Sequence, residues 1–600
     1  MTRTAGRAYT FFMKKHALTF LVVVLVGVSS PVQSQSKPQL DLCVAPPGAQ
    51  PLLPARLLEG QGKTDMPVTT TSEEARRFFN QGVAQMHSFW TIEAERSFLQ
   101  AATLDREMAM AYWGMALAAA GDYRPAFQLL RGPYEGGRGS APKPSPEGTD
   151  VPRTANGAAI DAETRARESI ARAMELRDKV TERERLYIEA LAARRERDKS
   201  AEERDAAYIA GLRKLVAAYP EDLEARSMLG LALLDGYDTV TQMPRTHTLE
   251  GLALLEEVVV EDDDHFGAHH YLIHGYEGST RPDKAWYACK RYPELVPNVP
   301  HALHMPGHIY AQSDRIDDAI LSFASAAENE LGYLNADILF PNGHHAHNVH
   351  FLVHSLNLDG RFKDSMERSR HVLSFKETPR EREGVNQRTA YRQGYFMLIK
   401  TLVRFERWDL ILDGETLPIY DKPEQNAWRY FAAGLARAHR GELDEAREAL
   451  AALEKNRAAV TTTQEPLAIA ALELEATIAG LTGDAGKAQE LFQQAAHREK
   501  AHLYTEPPAY PRPVVEGQGN LALDRKDFAT AERAYREALE REPGGGRAYF
   551  GLAAALEGLG KIEEARGIFE KAVQSWNKAD PDLPQMQRVE RNPTAGSGFR

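Results

Sequence analysis

The chain is 600 residues long and carries 73 Lys plus Arg against 85 Asp plus Glu, a formal charge of −12. That acid excess argues against a nucleic-acid binder, which needs a basic face to displace counterions from phosphates. A 43% hydrophobic and 26% charged composition excludes wholesale disorder, and two cysteines exclude a disulfide framework or a Cys-rich metal site.

At the N-terminus Arg3, Arg7, Lys14 and Lys15 precede the apolar run Ala17 to Val28, and small or polar residues follow to Ser34. A basic start, an apolar run of 12 residues and a small-residue end describe a secretory signal. Such a run is too short to span a bilayer cleanly, and an uncleaved anchor is the alternative. Residues 1–34 are expected to be removed after Ser34, leaving 566 residues with a charge of −16 in the periplasm or outside the cell. No later segment reaches the ~18 apolar residues of a membrane span, so no transmembrane segment is expected after signal removal.

Residues 35–70 read as an extended Pro-rich lead-in and 71–130 as helical repeats. Residues 131–160, with six Gly and five Pro, read as a flexible insertion. Irregular helical repeats are expected over 161–265, three His-rich repeats over 266–379, further repeats over 380–510, two C-terminal repeats over 511–579 and a disordered tail over 580–600.

The repeats emerge from self-comparison. Ala531, Tyr535 and Ala538 recur as Ala565, Phe569 and Ala572, a shift of 34 residues. The same register fits Gly82, Ala94, Phe98 and Ala101, and again Ala488, Phe492 and Ala495. A 34-residue unit with a small residue near position 8, Ala at 20, an aromatic at 24 and Ala at 27 resembles the tetratricopeptide repeat. The small residues let two helices approach, and the aromatic fills the gap to the next unit. Each hairpin alone exposes an apolar face that only stacking buries. The fold expected is all-α, an α-solenoid of about ten helix pairs.

Twelve of the 19 histidines lie between His265 and His354. His301, His304 and His308 are separated by three and four residues; His347, His350 and His354 repeat that spacing, and His270 and His274 its second half. Such positions fall within a ~60° sector of one helix. In the repeat register His270/His274, His304/His308 and His350/His354 occupy positions 5 and 9 of three units, and His301 and His347 occupy position 2. These positions line the concave groove of tetratricopeptide proteins, so all eight rings are expected to share one patch. Imidazoles suit zinc, copper, iron or nickel, and three or four hold one ion. Eight would hold one or two ions. The competing readings are a peptide or anion groove with polar histidine contacts, and hydrogen-bonded structural histidines.

Several neighbours take blander readings. His265, His269 and His345 point off the stripe, and the first two are expected to be exposed. His344 follows a Pro-Asn-Gly turn and is a marginal ligand. Glu277, at position 12, reads as a solvated surface residue that adds a carboxylate only if turned inward. The run Glu261 to Asp264 is expected to cap the helix starting near 266. Cys289 falls at the buried position 24, and Pro306 is expected to distort its helix locally.

The stretches Ala111-Tyr-Trp-Gly, Leu186-Tyr-Ile-Glu-Ala-Leu, His270-Tyr-Leu-Ile-His274, His304-Met-Pro-Gly-His308-Ile-Tyr and His347-Asn-Val-His350-Phe-Leu resemble those of a widespread bacterial family of exported tetratricopeptide proteins. The resemblance covers roughly residues 50–500. It implies the solenoid fold and export and leaves the reaction open. No zinc-protease helix, phosphate loop or dinucleotide fingerprint is present, and no catalytic residue or general base is identified. A transition-metal site on the concave face is therefore the leading expectation. A protein- or peptide-binding scaffold without metal is the alternative.

Overall fold

A computed structural model describes residues 54–125, 127, 162–238, 241–336, 342–375, 390–420, 422–460, 464–501 and 507–591. All belong to the second of two compact units, Met1–Val44 and Ala45–Arg600. The expected signal, most of the lead-in, the Gly/Pro-rich insertion, Cys43 and residues 592–600 lie outside the described residues.

The described residues form 25 α-helices and no strand. In chain order the pairs are α1 (Glu73–His87) with α2 (Thr91–Leu104), α3 (Ala109–Ala119) with α4 (Ala162–Leu176), and α5 (Glu182–Arg194) with α6 (Ala201–Ala218). Then come α7 (Leu223–Leu233) with α8 (Thr248–Glu261), α9 (Phe266–Tyr276) with α10 (Trp286–Leu295), and α11 (Pro300–Gln312) with α12 (Ile316–Ala336). They are followed by α13 (Asn342–Leu358) with α14 (Phe362–Leu373), α15 (Ala390–Arg404) with α16 (Trp408–Ile411), and α17 (Pro423–His439) with α18 (Leu443–Arg457). The last pairs are α19 (Gln464–Leu481) with α20 (Ala485–Ala501), α21 (Val514–Asp524) with α22 (Phe528–Arg541), and α23 (Gly546–Gly558) with α24 (Ile562–Ser575). Helix α25 (Pro584–Arg591) follows them, so residues 584–591 are helical where a disordered tail is expected from sequence.

The described residues hold twelve such pairs where about ten are expected from sequence, and two of them are irregular. The partners α3 and α4 are far apart in the chain, and α16 is a single turn. Elsewhere local chemistry sets the helices directly. Thr181 with Glu184 and Ser200 with Glu203 form reciprocal capping boxes at the starts of α5 and α6, satisfying orphan N–H groups of the first turn. The small residue at position 8 is required by the aromatic at 24. A Cβ on Gly307 would lie 2.5 Å from the Phe323 ring, and one on Gly82 2.6 Å from Phe98.

One large apolar core runs from Met66 to Ile309 and a second from Phe362 to Leu583. Between them lie two small clusters, one around Phe323 and Phe351 and one around Val349 and Met397. In the simplest solenoid each repeat touches only its neighbours. Here the central repeats also meet both flanks. Helix α1 packs on α9, and from α10 the Tyr292 hydroxyl donates to Ser88 Oγ just after α1 at 3.1 Å. At the other end the fully buried Trp576 donates its Nε1–H to the Leu358 carbonyl at 2.7 Å, and Lys578 pairs with Asp317 at 2.6 Å. The histidine block therefore lies beneath contacts from distant parts of the sequence.

Candidate metal centre

The eight stripe histidines do not form one patch; they divide into a triad, a looser set and a diverted pair. The first group joins α9 to α11. One ring nitrogen from each of His270, His274 and His301 lies within 4.8 Å of the other two. His270 is fully buried, His274 3% exposed and His301 half-buried. His270 Nδ1 donates to the His87 carbonyl at 2.5 Å, a bond only the N–H tautomer can make. Its Nε2 is then a lone pair, and it faces His301 Nε2 at 3.0 Å. His274 Nδ1 donates to Glu277 Oε2 at 3.1 Å, which likewise leaves Nε2 as the coordinating atom. Metal-binding histidines are oriented by such bonds from the non-ligating nitrogen to a carbonyl or carboxylate.

The fit to an ion is close. A tetrahedral metal ~2 Å from each nitrogen spaces its ligands about 3.3 Å apart. The closest pair must open slightly from 3.0 Å and the widest close from within 4.8 Å. Burial first, and then neighbouring imidazoles, hold His270 and His301 well below the usual imidazole range. Neutral rings are what a metal needs, because a ligand must shed its proton to bind.

The second group continues the stripe across α11 and α13. His304 and His308 bring their Nε2 atoms to 2.8 Å, and the His347 ring lies 5.3 Å from that of His304. Glu277, expected at the surface, is 5% exposed and lies between the groups. Its Oε2 accepts from His274, and its Oε1 is 3.9 Å from His308 Nδ1. The sequence misplaces it because it follows the last residue of α9, where the wheel no longer gives direction. Replacing Glu277 by Gln is expected to lower metal affinity about 10- to 100-fold, the usual cost of losing such an orienting carboxylate. A chelator-competition titration with unchanged affinity would contradict that role.

His350 and His354 are diverted to the next repeat. His350 bonds through Nδ1 to Gln393, and its ring meets Phe396 edge-on at 5.8 Å. His354 Nε2 lies 3.8 Å from Glu542 Oε1. Burial, with Lys400 as the next cause, holds both well below the usual imidazole range. Arg404 on α15, joined by Lys400 when that amine is protonated, makes this a poor place for a cation. The wheel placed these rings correctly on one face, but the end of α13 that carries them packs on α15.

The remaining expectations are corrected in the same way. His265 and His269 are buried, not exposed. His265 is itself the N-cap of α9, accepting from the Ala268 N–H at 3.1 Å, and His269 Nε2 donates to the Asp263 carbonyl at 2.9 Å. The acidic run instead pairs with α10, through Arg291 with Asp263 at 3.2 Å. His344 Nδ1 bonds Glu330 at 2.7 Å, and α13 already begins at Asn342. His345 is buried with its ring 5.4 Å from that of Phe375. Cys289 is buried, its thiol pushed up by burial, and α11 passes through Pro306 as one helix.

Sequence reasoning missed the cover of the triad. Phe89, just after α1, takes a left-handed φ of 52°, uncommon for a bulky residue. Its ring lies 4.4 Å from His270, 5.3 Å from His274 and 5.6 Å from His301. Tyr292 stacks on His270, with ring centroids 4.8 Å apart at 13°. His87, beside Phe89, holds its own chain: Nε2 to Glu224 at 2.6 Å and Nδ1 to the Tyr271 hydroxyl at 2.7 Å. Burial raises the Glu224 carboxyl, but its contacts with His87, then His265 and Arg183, outweigh it and bring it to about 2. The His87–Glu224 bond anchors the His87 backbone whose carbonyl orients His270. No periodicity marks these residues, because they enter from a repeat more than 180 positions away.

A groove of about 650 Å³ opens beside the second group. It is lined by Glu277, His308 and His354 together with Tyr237, Tyr510 and Arg541. His308 is thus the stripe residue that connects the centre to an accessible surface.

Comparison with known proteins gives one family match, a tetratricopeptide repeat over residues 517–584. No curated protein matches the chain. Among solved structures, yeast Tom70 is similar at 11% identity over 88% of this chain and 89% of its own, with a TM-score of 0.25. A human IFIT1 dimer with m7Gppp-AAAA is similar at 13% identity over 85% and 91%, with a TM-score of 0.30.

Proposed function

We propose that the chain is an exported tetratricopeptide-type solenoid that holds a transition-metal ion, zinc, copper or iron, on His270, His274 and His301. The observation that carries this reading is the orientation of the triad: two of its rings spend Nδ1–H on the His87 carbonyl and on Glu277, turning their Nε2 lone pairs inward. Three nitrogen ligands leave a coordination position open, as in zinc sites that bind water or substrate. A bound ion would supply Lewis-acid or redox character there. The chain's own part is to keep His270 and His301 neutral, to fix the tautomers of His270 and His274 and to screen one side from water with Phe89. Export follows from the apolar run at 17–28 with its basic flank.

The second reading is a protein- or peptide-binding scaffold. It is favoured by the groove of about 650 Å³, whose lining is drawn from residues between Phe127 and Pro543. Elemental analysis of the full chain, purified without a polyhistidine tag, separates the two. The metal reading requires at least one transition-metal ion per chain surviving dialysis. A chain that neither retains nor takes up such an ion, yet captures a peptide, would leave the scaffold reading.

A further inference from the structure

We propose that the centre is binuclear, with a second, more exchangeable transition-metal ion held by His304, His308 and His347; this rests on the reading of the first site above. The spacing of the rings recurs from one repeat to the next. In the first set, the position 5 and 9 rings, His270 and His274, are 4.9 Å apart, and the position 2 ring of the next unit, His301, lies 4.9 Å from His270. One repeat later, His304 and His308 are 4.7 Å apart, and His347 lies 5.3 Å from His304. The same three register positions thus recur across α9–α11 and across α11–α13, the second set more openly spaced: among the described residues the first set alone brings three ligand nitrogens within 4.8 Å of one another. The third occurrence of positions 5 and 9 acts as an internal control. There the ring of His350 meets the amide of Gln393 instead of an imidazole, beside Lys400, and the ligand set is broken.

Two further features suit an ion at the second set. The Nε2 atoms of His304 and His308 already converge at 2.8 Å, and the Glu277 carboxylate lies toward His308 Nδ1 at 3.9 Å. That carboxylate accepts a hydrogen bond from one ring of the first set and lies within ion-pair distance of one ring of the second, so one negative charge is near both sites. His308 also lines the groove, whereas His304 lies beneath it at 3% exposure. The looser third ring and the groove-side position explain the faster exchange expected of the second ion.

The test is a titration of the metal-stripped full chain with Co²⁺, read by visible absorption and by elemental analysis after desalting. The expected result is two equivalents for the unaltered chain and one each for His308→Ala and His270→Ala. His347→Ala, at a half-buried ring, serves as a second variant if His308→Ala melts early by circular dichroism. A single equivalent that persists in His308→Ala and His347→Ala but vanishes in His270→Ala would overturn the second site and leave the first intact. Two equivalents retained in both His308→Ala and His347→Ala would also overturn it. No Co²⁺ uptake by the unaltered chain would overturn both sites together.

Discussion

Replacement of His270 by Ala should strip the tightly held ion from the protein. Transition-metal sites of three or four ligands contribute apparent binding of ~10–16 kcal/mol, which places roughly 3–4 kcal/mol on each ligand. At ~1.4 kcal/mol per tenfold, losing one imidazole weakens binding about 10²- to 10³-fold. His270 is the ligand for which the effect should be largest. It is fully buried, its tautomer is fixed by the His87 carbonyl, and its Nε2 faces His301 at 3.0 Å. Alanine also leaves a cavity between Phe89 and Tyr292, which stack near the ring at 4.4 and 4.8 Å. The measurement is chelator competition on the full chain beside a His350→Ala control. The variant should lose the ion and the control keep it. Equal loss from both, or from neither, would contradict the assignment of His270 to the centre and His350 outside it.

Lys400→Met should make the protein more stable at neutral and acid pH. The Lys400 side chain is 1% exposed, and its ammonium has no hydrogen-bond partner among the described residues. Burial is the main cause that brings its pKa down from 10.5 to about 7; attraction to Glu542 opposes the shift and Arg404 adds to it. The folded state therefore binds the proton less readily than the unfolded chain. Between pH 7 and 10.5 the unfolded state holds more protons, so this group adds stability as pH rises through that window. Below pH 7 the full penalty is present, on the order of 3–5 kcal/mol for a shift of this size. Methionine fills a similar volume without a charge. Urea unfolding at pH 6 and at pH 10 should show a gain of a few kcal/mol at the first and little at the second. A variant that is less stable at pH 6, or offset equally at both, would contradict the account.

How much of this was legible beforehand differs between fold and site. The 34-residue register places the helix pairs because small and aromatic positions must interlock, as Gly307 does with Phe323. Two pairs depart from the register, one because its partners are split in the chain and one because α16 is a single turn. The histidine register was equally legible along each helix. What it could not give was the destination of each face. His301 meets His270, and His347 approaches His304, but His350 meets Gln393.

The sequence alone therefore determined the all-α repeat architecture and the alignment of eight imidazoles on three helix faces, since both follow from periodicities that a single helix enforces. Only the tertiary structure decided which rings share a centre, that Glu277 turns inward between them, and that His87 and Phe89 arrive from the first repeat to orient and cover His270. Those outcomes depend on the approach of helices distant in the chain, and helical periodicity carries no information about what a face will meet.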